Sequence, residues 1–376
     1  MGKDHPKLAI GSHVGRFRVV KHIGGGGFGE IYCVMDPNTS KMCAMKIEYL
    51  DIHKSSLKLE TTILQELAGC KYFPQIIDHG KTHTIRYLVM EILGASLQNM
   101  RAIAPRKRFS MHTTLRIALE SLIAIEEFHK HGYVHRDIKP GNFLIRDDPK
   151  FPICLIDFGL CRKYIDENGK IIPPRDEPGF TGTCRYASVH AHNYNELGRR
   201  DDIISWLYTI VELADSRLPW PGTKDREATR QMKNDISATT LLKSFPDEIL
   251  DIYREVRKLK YEDQPDYELY KRLIRDALSQ SPQKKNGFDW EYFNRKQVED
   301  VSPDLALGPP KQTSAKSLSS TKAFLGPPRK PFVMPDFIPP VFNPIIIPST
   351  PEDKKEDKAE EKPAVQQNQE GCCRIM

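Results

Sequence analysis

HRDIKPGN, residues His135–Asn142, is followed after a short apolar run by DFG at Asp157–Gly159. The first stretch carries an acid, a base and an amide: Asp137, Lys139 and Asn142. The run Ile153 to Ile156 has the character of a strand, so we expect a short hairpin to return Asp157 to the cleft of the first stretch. One carboxylate that can orient a hydroxyl group then meets a second carboxylate and an amide that can hold a divalent cation.

Both motifs, in this order and at this spacing, resemble those of protein kinases. The resemblance implies that ATP and Mg²⁺ are used, with Asp137 orienting the attacking hydroxyl and Lys139 supporting the transferred phosphate. Asn142 and Asp157 would then bind the metal. A lysine two residues after the predicted base is the pattern of kinases that phosphorylate serine and threonine. An isolated aspartate is more often a turn residue, but both motifs together are rarely met by chance.

A glycine-rich hairpin precedes these motifs. IGGGGFGEIY, residues Ile23–Tyr32, has the GxGxxG spacing between two runs that alternate as strands do. Glycines let the backbone approach phosphate groups closely. This signal is weak alone, because a merely flexible hairpin has the same composition. The lysine that follows it along the chain makes the nucleotide-binding interpretation stronger. The nucleotide-binding residues predicted here are Ile23, Gly24, Gly26, Gly29 and Ile31.

That lysine is Lys46 in CAMKI, where the resemblance implies that Ala44 faces adenine and Lys46 holds the α and β phosphates. Glu60, on the predicted helix Lys58–Leu67, is the expected ion partner of Lys46. The competing interpretation is that both are solvated surface charges. YLVMEILG, Tyr87–Gly94, predicts a strand entering a hinge between two lobes, although a buried strand without a ligand has the same pattern. The further pocket residues predicted are Met90, Glu91, Leu93, Leu144 and Ile156.

The order of patterns predicts an α+β class, a bilobal protein kinase fold with a small β-rich lobe and a larger helical lobe. Residues 17 to about 98 are strand-rich with one helix, and helical patterns follow, such as those over 111–132 and 199–213. We expect an N-terminal extension over 1–16, a kinase domain over 17–298 and a disordered tail over 299–376. The last 76 residues contain 13 of the 28 prolines, which is incompatible with helices or a packed sheet.

GTCRYASVHAH, residues 182–192, stands where most kinases have APE, and it resembles the casein kinase I group. IIPPRDEPG before it, GRRDDIISWLYTIVELADSRLPW after it, and the later DQPDYELYKRLI and FDWE are most similar to the tau-tubulin kinase family. The resemblance covers roughly residues 15 to 295 and implies Ser/Thr transfer, with protein substrates near the cytoskeleton. His190 and Cys161 depart from that pattern, where Asn and Ala are usual, and neither position carries the transfer chemistry.

Three basic residues are candidates for a substrate anion site. Arg185 matches the family's basic position beside the substrate groove, where a guanidinium would receive an acidic or already phosphorylated substrate residue. Lys224 and Arg230 are its predicted neighbours. Charged loop residues are more usually only solvated, so the plain alternative stays open.

Two residues beside the central motifs have more than one interpretation. In many kinases an arginine at the position of Arg136 binds a phosphate on the activation loop, and Thr181 and Thr183 are available for one. Asp202, in the RRDD run, either braces the catalytic loop from a helix or simply caps that helix.

Composition indicates a soluble intracellular chain. The net charge of +6, from 56 basic and 50 acidic residues, is too mild over 376 residues to indicate nucleic-acid binding. No run approaches the roughly 20 apolar residues of a membrane-spanning helix. The first six of the eight cysteines lack CxxC spacing and have the pattern of reduced thiols, so we expect a cytoplasmic location.

The end of the sequence, CCRIM, places Cys373 in a CaaX motif whose terminal Met favours farnesylation. Cys372 is a candidate for palmitoylation, because stable anchoring takes two signals, and together they predict a membrane tether; a chance match is the alternative. The Pro-rich run 327–351 predicts a partner of SH3 type or a plain spacer. For the whole chain, the rival to an active enzyme is a kinase fold that only docks a partner.

Overall fold

The computed structural model describes residues 5–26, 29–51, 55–220, 225–281 and 287–302. All of them belong to the first of two units, Met1–Thr313, and the second unit is Ser314–Met376. Lys224, Cys372, Cys373 and the Pro-rich run 327–351 lie outside the described residues. The predictions made for them therefore stay predictions.

The first lobe is built on a six-stranded antiparallel sheet in the order β1-β2-β3-β4-β6-β5. Along β4 and its neighbours, apolar side chains such as Val34, Met45 and Val89 are fully buried. Their alternation is the strand pattern that the sequence displays. The strands are β1 (His13–Val14), β2 (Phe17–Gly26), β3 (Gly29–Met35), β4 (Met42–Tyr49), β5 (Ile76–Lys81) and β6 (Ile85–Glu91).

Helix α1, Ser56–Glu66, packs against this sheet. Its N-terminus is capped twice: the Ser55 hydroxyl accepts from the Lys58 amide at 3.2 Å, and the buried Glu48 carboxylate on β4 accepts from the Ser56 amide at 2.9 Å. These contacts satisfy amides that a helix leaves unpaired at its start. The helix that carries Glu60 is thereby fixed to the strand that carries Lys46, and it begins two residues before the predicted start at Lys58.

The second lobe is helical, and its centre is formed by α3 and α5. Trp206 of α5 is fully buried and its indole N–H donates to the Ser121 hydroxyl of α3 at 2.9 Å. The predicted α+β class with two lobes is confirmed. The helices are α2 (Leu97–Ile103), α3 (Met111–Lys130), α4 (Val189–His192), α5 (Arg199–Asp215), α6 (Arg226–Asp235), α7 (Ala238–Leu241), α8 (Asp247–Val256), α9 (Tyr267–Gln280) and α10 (Arg295–Val301).

Two short strand pairs frame the loops between the lobes. Strand β8 (Phe143–Ile145) pairs antiparallel with β9 (Ile153–Leu155), which is the hairpin expected to return Asp157 to the catalytic loop. Strand β7 (Tyr133–Val134), just before the catalytic loop, pairs with β10 (Arg162–Lys163), just after the DFG segment. These pairs fix the ends of the segments that carry the two central motifs.

The described part of the chain contains no helix that is both long and apolar enough to cross a membrane. Beyond α9, a single helical turn over Asp289–Tyr292 leads into α10, which packs against α2. Helix α10 thus extends three residues past the domain boundary predicted at residue 298.

Candidate active site

A cavity of about 350 Å³ opens between the sheet and the helical lobe. In the described part of the glycine-rich hairpin, Ile23, Gly25 and Gly29 line it, whereas the predicted Gly24 does not. The predicted Gly26 pairs with Gly29 across the hairpin. The other predicted residues that line the cavity are Ile31, Ala44, Lys46, Glu60, Met90, Glu91, Leu93, Asn142, Leu144, Ile156 and Asp157.

Lys46 lies at the inner end of the cavity and pairs with two carboxylates. Its ammonium is 2.6 Å from Glu60 and 2.9 Å from Asp157. Burial alone would lower the pKa of Lys46, but the two carboxylates outweigh it and raise that pKa above its ordinary value. Burial alone would raise the pKa of Asp157, but the Lys46 ammonium outweighs this effect and keeps that pKa below its ordinary value. Lys46 and Asp157 are therefore both charged at neutral pH.

The backbone around the DFG motif directs Asp157 into the cavity. Asp157 has φ 70°, a left-handed conformation rarely adopted by residues other than glycine. The next side chain, Phe158, is fully buried against the rings of Phe73, Phe128 and His135. His135 Nε2 also donates to the Ile156 carbonyl at 3.0 Å. Packing of Phe158 on one side and the ion pair on the other therefore fix the Asp157 carboxylate.

The Asp137 carboxylate lies in the catalytic loop with both oxygens hydrogen-bonded. One oxygen accepts from the Lys139 ammonium at 2.5 Å, and the other accepts from the Thr183 amide at 2.8 Å and the Thr183 hydroxyl at 2.7 Å. A carboxylate held this way has a fixed orientation and an adjacent cation, as a group needs to orient a hydroxyl. Thr183 is a site residue that the sequence reasoning missed, since only its availability for phosphorylation was considered.

Gly182 allows the segment that carries Thr183 to approach the catalytic loop. It has φ +95°, and a Cβ added there would lie 2.5 Å from the Arg136 carbonyl oxygen. Both the conformation and the space require glycine at this position. The GTCRY sequence thereby brings the activation segment into contact with Asp137.

Asp202 braces the catalytic loop from α5. Its carboxylate accepts from the His135 amide at 2.6 Å, the Arg136 amide at 2.8 Å and His129 Nε2 at 2.9 Å. Burial would raise the pKa of Asp202, but these donors outweigh it and keep that pKa below its ordinary value. The helix cap, which was the alternative role for Asp202, is provided by its neighbour Asp201, whose carboxylate accepts from the Gly198 amide at 2.9 Å.

Arg136 faces a carboxylate of its own chain. Its Nε donates to the Leu160 carbonyl at 2.7 Å, and its guanidinium lies 3.7 Å from Glu196. Glu196 is buried and also pairs with Arg162 at 3.5 Å and Arg175 at 2.5 Å. The position at which many kinases bind an activation-loop phosphate therefore already holds an internal negative charge.

The two described residues of the predicted substrate anion site each pair with a carboxylate of the chain. The Arg185 guanidinium donates to the buried Glu212 carboxylate at 2.8 and 2.5 Å. Arg230 donates to Glu227 at 3.0 Å and to Asn193 at 3.4 Å, and Lys224 lies outside the described residues. Arg185 shares the Glu212 carboxylate with Arg101, which lies 3.8 Å from it, and the pair of Arg230 with Glu227 is exposed. These pairs compete with a substrate anion for the two guanidinium groups, and the anion site stays a prediction.

Lys233 of α6 is a second residue that the sequence reasoning missed. Its side chain is fully buried, and its ammonium donates to the Cys184 and Ala187 carbonyls, both at 2.7 Å. These carbonyls belong to the segment that follows Thr183. Lys233 therefore holds the end of the activation segment, but nothing in the sequence separates it from the exposed lysines of other helices.

Replacing Lys233 with methionine is expected to lower kcat/KM for a peptide substrate about tenfold, since two buried carbonyls lose their donor. The affinity for ATP should not change, because Lys233 does not line the cavity. Steady-state kinetics with the peptide varied, together with direct ATP binding, measure the two effects. Lys258→Met is the matched control, as that side chain is 70% exposed. A loss of ATP affinity equal to the loss of kcat/KM would contradict this role.

The donor set of the cavity fits a magnesium ion. Asn142 donates its amide N–H to the Asp137 carbonyl at 2.9 Å, which leaves the amide oxygen to serve as a ligand beside the Asp157 carboxylate. Among the described residues no group of three or more His, Cys, Asp or Glu side chains forms a metal cluster. Mg²⁺ bound with a nucleotide takes one or two carboxylates and the phosphates, so these two residues suffice.

Comparisons with known proteins agree with this geometry. The family model for the protein kinase domain matches residues 17–290. The chain is 37% identical over 288 residues to a probable serine/threonine-protein kinase of Dictyostelium discoideum, with 76% of this chain and 58% of that protein covered. It is 32% identical over 315 residues to serine/threonine-protein kinase spe-6 of Caenorhabditis elegans, with 80% and 82% covered.

The chain thus spans little more than half the length of the Dictyostelium relative and most of the length of the nematode one. Proteins with this domain use ATP and Mg²⁺, which the cavity and its donor set can accommodate. The match over 17–290, together with these relatives, establishes that the chain belongs to the protein kinase family.

Proposed function

We propose that this chain is an active serine/threonine protein kinase of the tau-tubulin kinase type, which transfers the γ-phosphate of Mg-ATP to protein hydroxyl groups. The observation that carries the proposal is the fixed Asp137 carboxylate, with Lys139 at 2.5 Å and Thr183 at 2.7 Å. The complete Lys46–Glu60–Asp157 set in the adjoining cavity supports it. An inactive docking module has no need to maintain both.

The position and charge of each residue determine its role in the transfer. Asp137 orients the substrate hydroxyl and accepts its proton, while Lys139 lies where it can neutralise charge on the transferred group. Lys46 holds the phosphates, and Asn142 with Asp157 holds Mg²⁺. Because little covalent chemistry falls to the protein in this reaction, positioning and charge neutralisation supply most of the rate.

Two observations bear on the substrate class. The GTCRYASVHAH segment supports substrates of the tau-tubulin kinase type, near the cytoskeleton. The pairing of Arg185 with Glu212 argues against a strong preference for substrates with an acidic or phosphorylated residue near the acceptor hydroxyl. We therefore infer a Ser/Thr kinase whose substrates need no phosphate at a neighbouring position.

The test is phosphate transfer from Mg-ATP by the full chain to a peptide library that contains serine, threonine and tyrosine acceptors, with and without phosphorylated neighbours. Phosphate on serine and threonine, lost in the Asp137→Asn variant, is the expected result. ATP binding without transfer to any peptide would favour the docking module instead. Transfer only to peptides with a phosphorylated neighbour would overturn the inferred substrate class but not the activity.

A further inference from the structure

The wall of the nucleotide cavity includes a residue from beyond the matched kinase domain. Val301, at the end of α10, lines the cavity together with Ser96, Asn99 and Gly141. The family match ends at residue 290. The part of the cavity just past the hinge is thus completed by the C-terminal extension.

The chain is anchored just before this extension, which begins at residue 291. The Asp289 carboxylate accepts from the Ser110 amide at 2.6 Å and the Ser110 hydroxyl at 2.8 Å, and the Asp289 amide donates to the Thr113 hydroxyl at 3.0 Å. The stacked rings of Phe288 and Trp290 lie 4.3 Å apart. These contacts tie the chain to the start of α3 and fix where α10 begins.

Helix α10 has an apolar face and an exposed face. Val298 and Val301, one helical turn apart, pack against the main core, while Lys296 and Gln297 are exposed. Seven residues are too few for a stable helix in isolation. Its order therefore depends on packing against α2, whose N-cap Ser96 and first-turn Asn99 line the cavity.

The residues around Val301 identify the part of the ligand that it meets. Ser96 and Asn99 follow the hinge strand β6, whereas the charged groups Lys46 and Asp157 lie at the inner end of the cavity. The phosphates belong with the charged groups. The apolar Val301 side chain is half-buried, and its helix packs on α2 beside Ser96 and Asn99, so it is suited to the adenosine part of the nucleotide.

We propose that Val301 is a nucleotide-contact residue and that α10 forms part of the ATP site, packing on the adenosine end of the bound nucleotide. The inference rests on the assignment of this cavity to ATP in the proposed function. Because a ligand stabilises the elements that contact it, nucleotide binding and docking of α10 favour each other reciprocally. Ser302, the residue after Val301, is only 3% exposed.

Val301→Ala in the full chain is expected to raise the Kd for Mg-ATP about fivefold, since methyl groups that contact the ligand are removed. The Kd for adenosine should rise by the same factor, because the contact is to the nucleoside. Direct binding, measured by calorimetry, avoids any dependence on turnover. Gln297→Ala, on the exposed face of the same helix, is the matched control and should leave both constants unchanged.

Limited trypsin digestion gives an independent measurement. Arg295 and Lys296 are exposed, and adenosine should slow cleavage after them several-fold in wild type, as followed by mass spectrometry. Unchanged affinities in Val301→Ala, or unchanged cleavage with adenosine at saturation, would overturn the role of α10. Absence of ATP binding by wild type would instead refute the proposed function itself.

Discussion

Replacing Asp137 with asparagine is expected to lower kcat for phosphate transfer about 10³-fold, within the range that general-base groups contribute. The substitution keeps the shape of the side chain but cannot keep its contacts. One oxygen of Asp137 accepts from Lys139 and the other from Thr183, so every neighbour is a donor. Whichever way the asparagine is turned, its NH₂ group faces a donor, and neither orientation accepts a substrate proton.

The Kd for ATP should stay within about twofold in this variant, because Asp137 does not line the nucleotide cavity. Rapid-quench kinetics at saturating ATP and peptide measure the chemical step, and calorimetry measures nucleotide binding. Asp166→Asn is the control, since Asp166 lies in an exposed turn and accepts only local amides. A kcat within tenfold of wild type would mean that Asp137 does not carry the reaction.

The fold and the centre of the site were predictable because their signals are local. HRDIKPGN and DFG each fix a short loop, and the strand between them determines that Asp157 returns to Asn142. Lys46 and Glu60 were paired from their order along the chain, and the 2.6 Å contact agrees with that prediction. In each case one element or one hairpin sets the geometry, so the residue pattern contains the necessary information.

The residues that were missed owe their roles to contacts between distant segments. Lys233 is a buried donor only because α6 packs beneath Cys184 and Ala187. Glu196 neutralises Arg136 across 60 residues of sequence, and no local pattern distinguishes it from an exposed glutamate. Val301 reaches the cavity because Asp289 is tied to Ser110. Such roles depend on how helices pack, which residue type and spacing do not specify.

Asp202→Asn is expected to destabilise the protein by about 3 kcal/mol, since a buried carboxylate that serves three donors loses one acceptor. The corresponding fall in Tm is about 5–10 °C, measured by thermal unfolding at one heating rate. Because the folded-state pKa of Asp202 is lowered, its contribution is complete above the unfolded pKa of about 4 and is lost only as pH falls through the lower folded value. The difference in Tm between wild type and variant should therefore be constant from pH 6 to pH 8.

The same variant tests whether the brace positions the catalytic loop. Asp202 holds the amides of His135 and Arg136, the two residues before Asp137, so kcat should fall about tenfold or more at temperatures where the variant is folded. Asp251→Asn is the control, since that side chain is 54% exposed and its pair with Arg254 contributes little. A fall in Tm with kcat unchanged would show that Asp202 contributes to stability alone. The catalytic loop would then keep its geometry without the hydrogen bonds from the His135 and Arg136 amides. A fall in kcat with no fall in Tm would place the whole effect in the loop, whose hydrogen bonds to α5 would then contribute to catalysis and not to the stability of the fold.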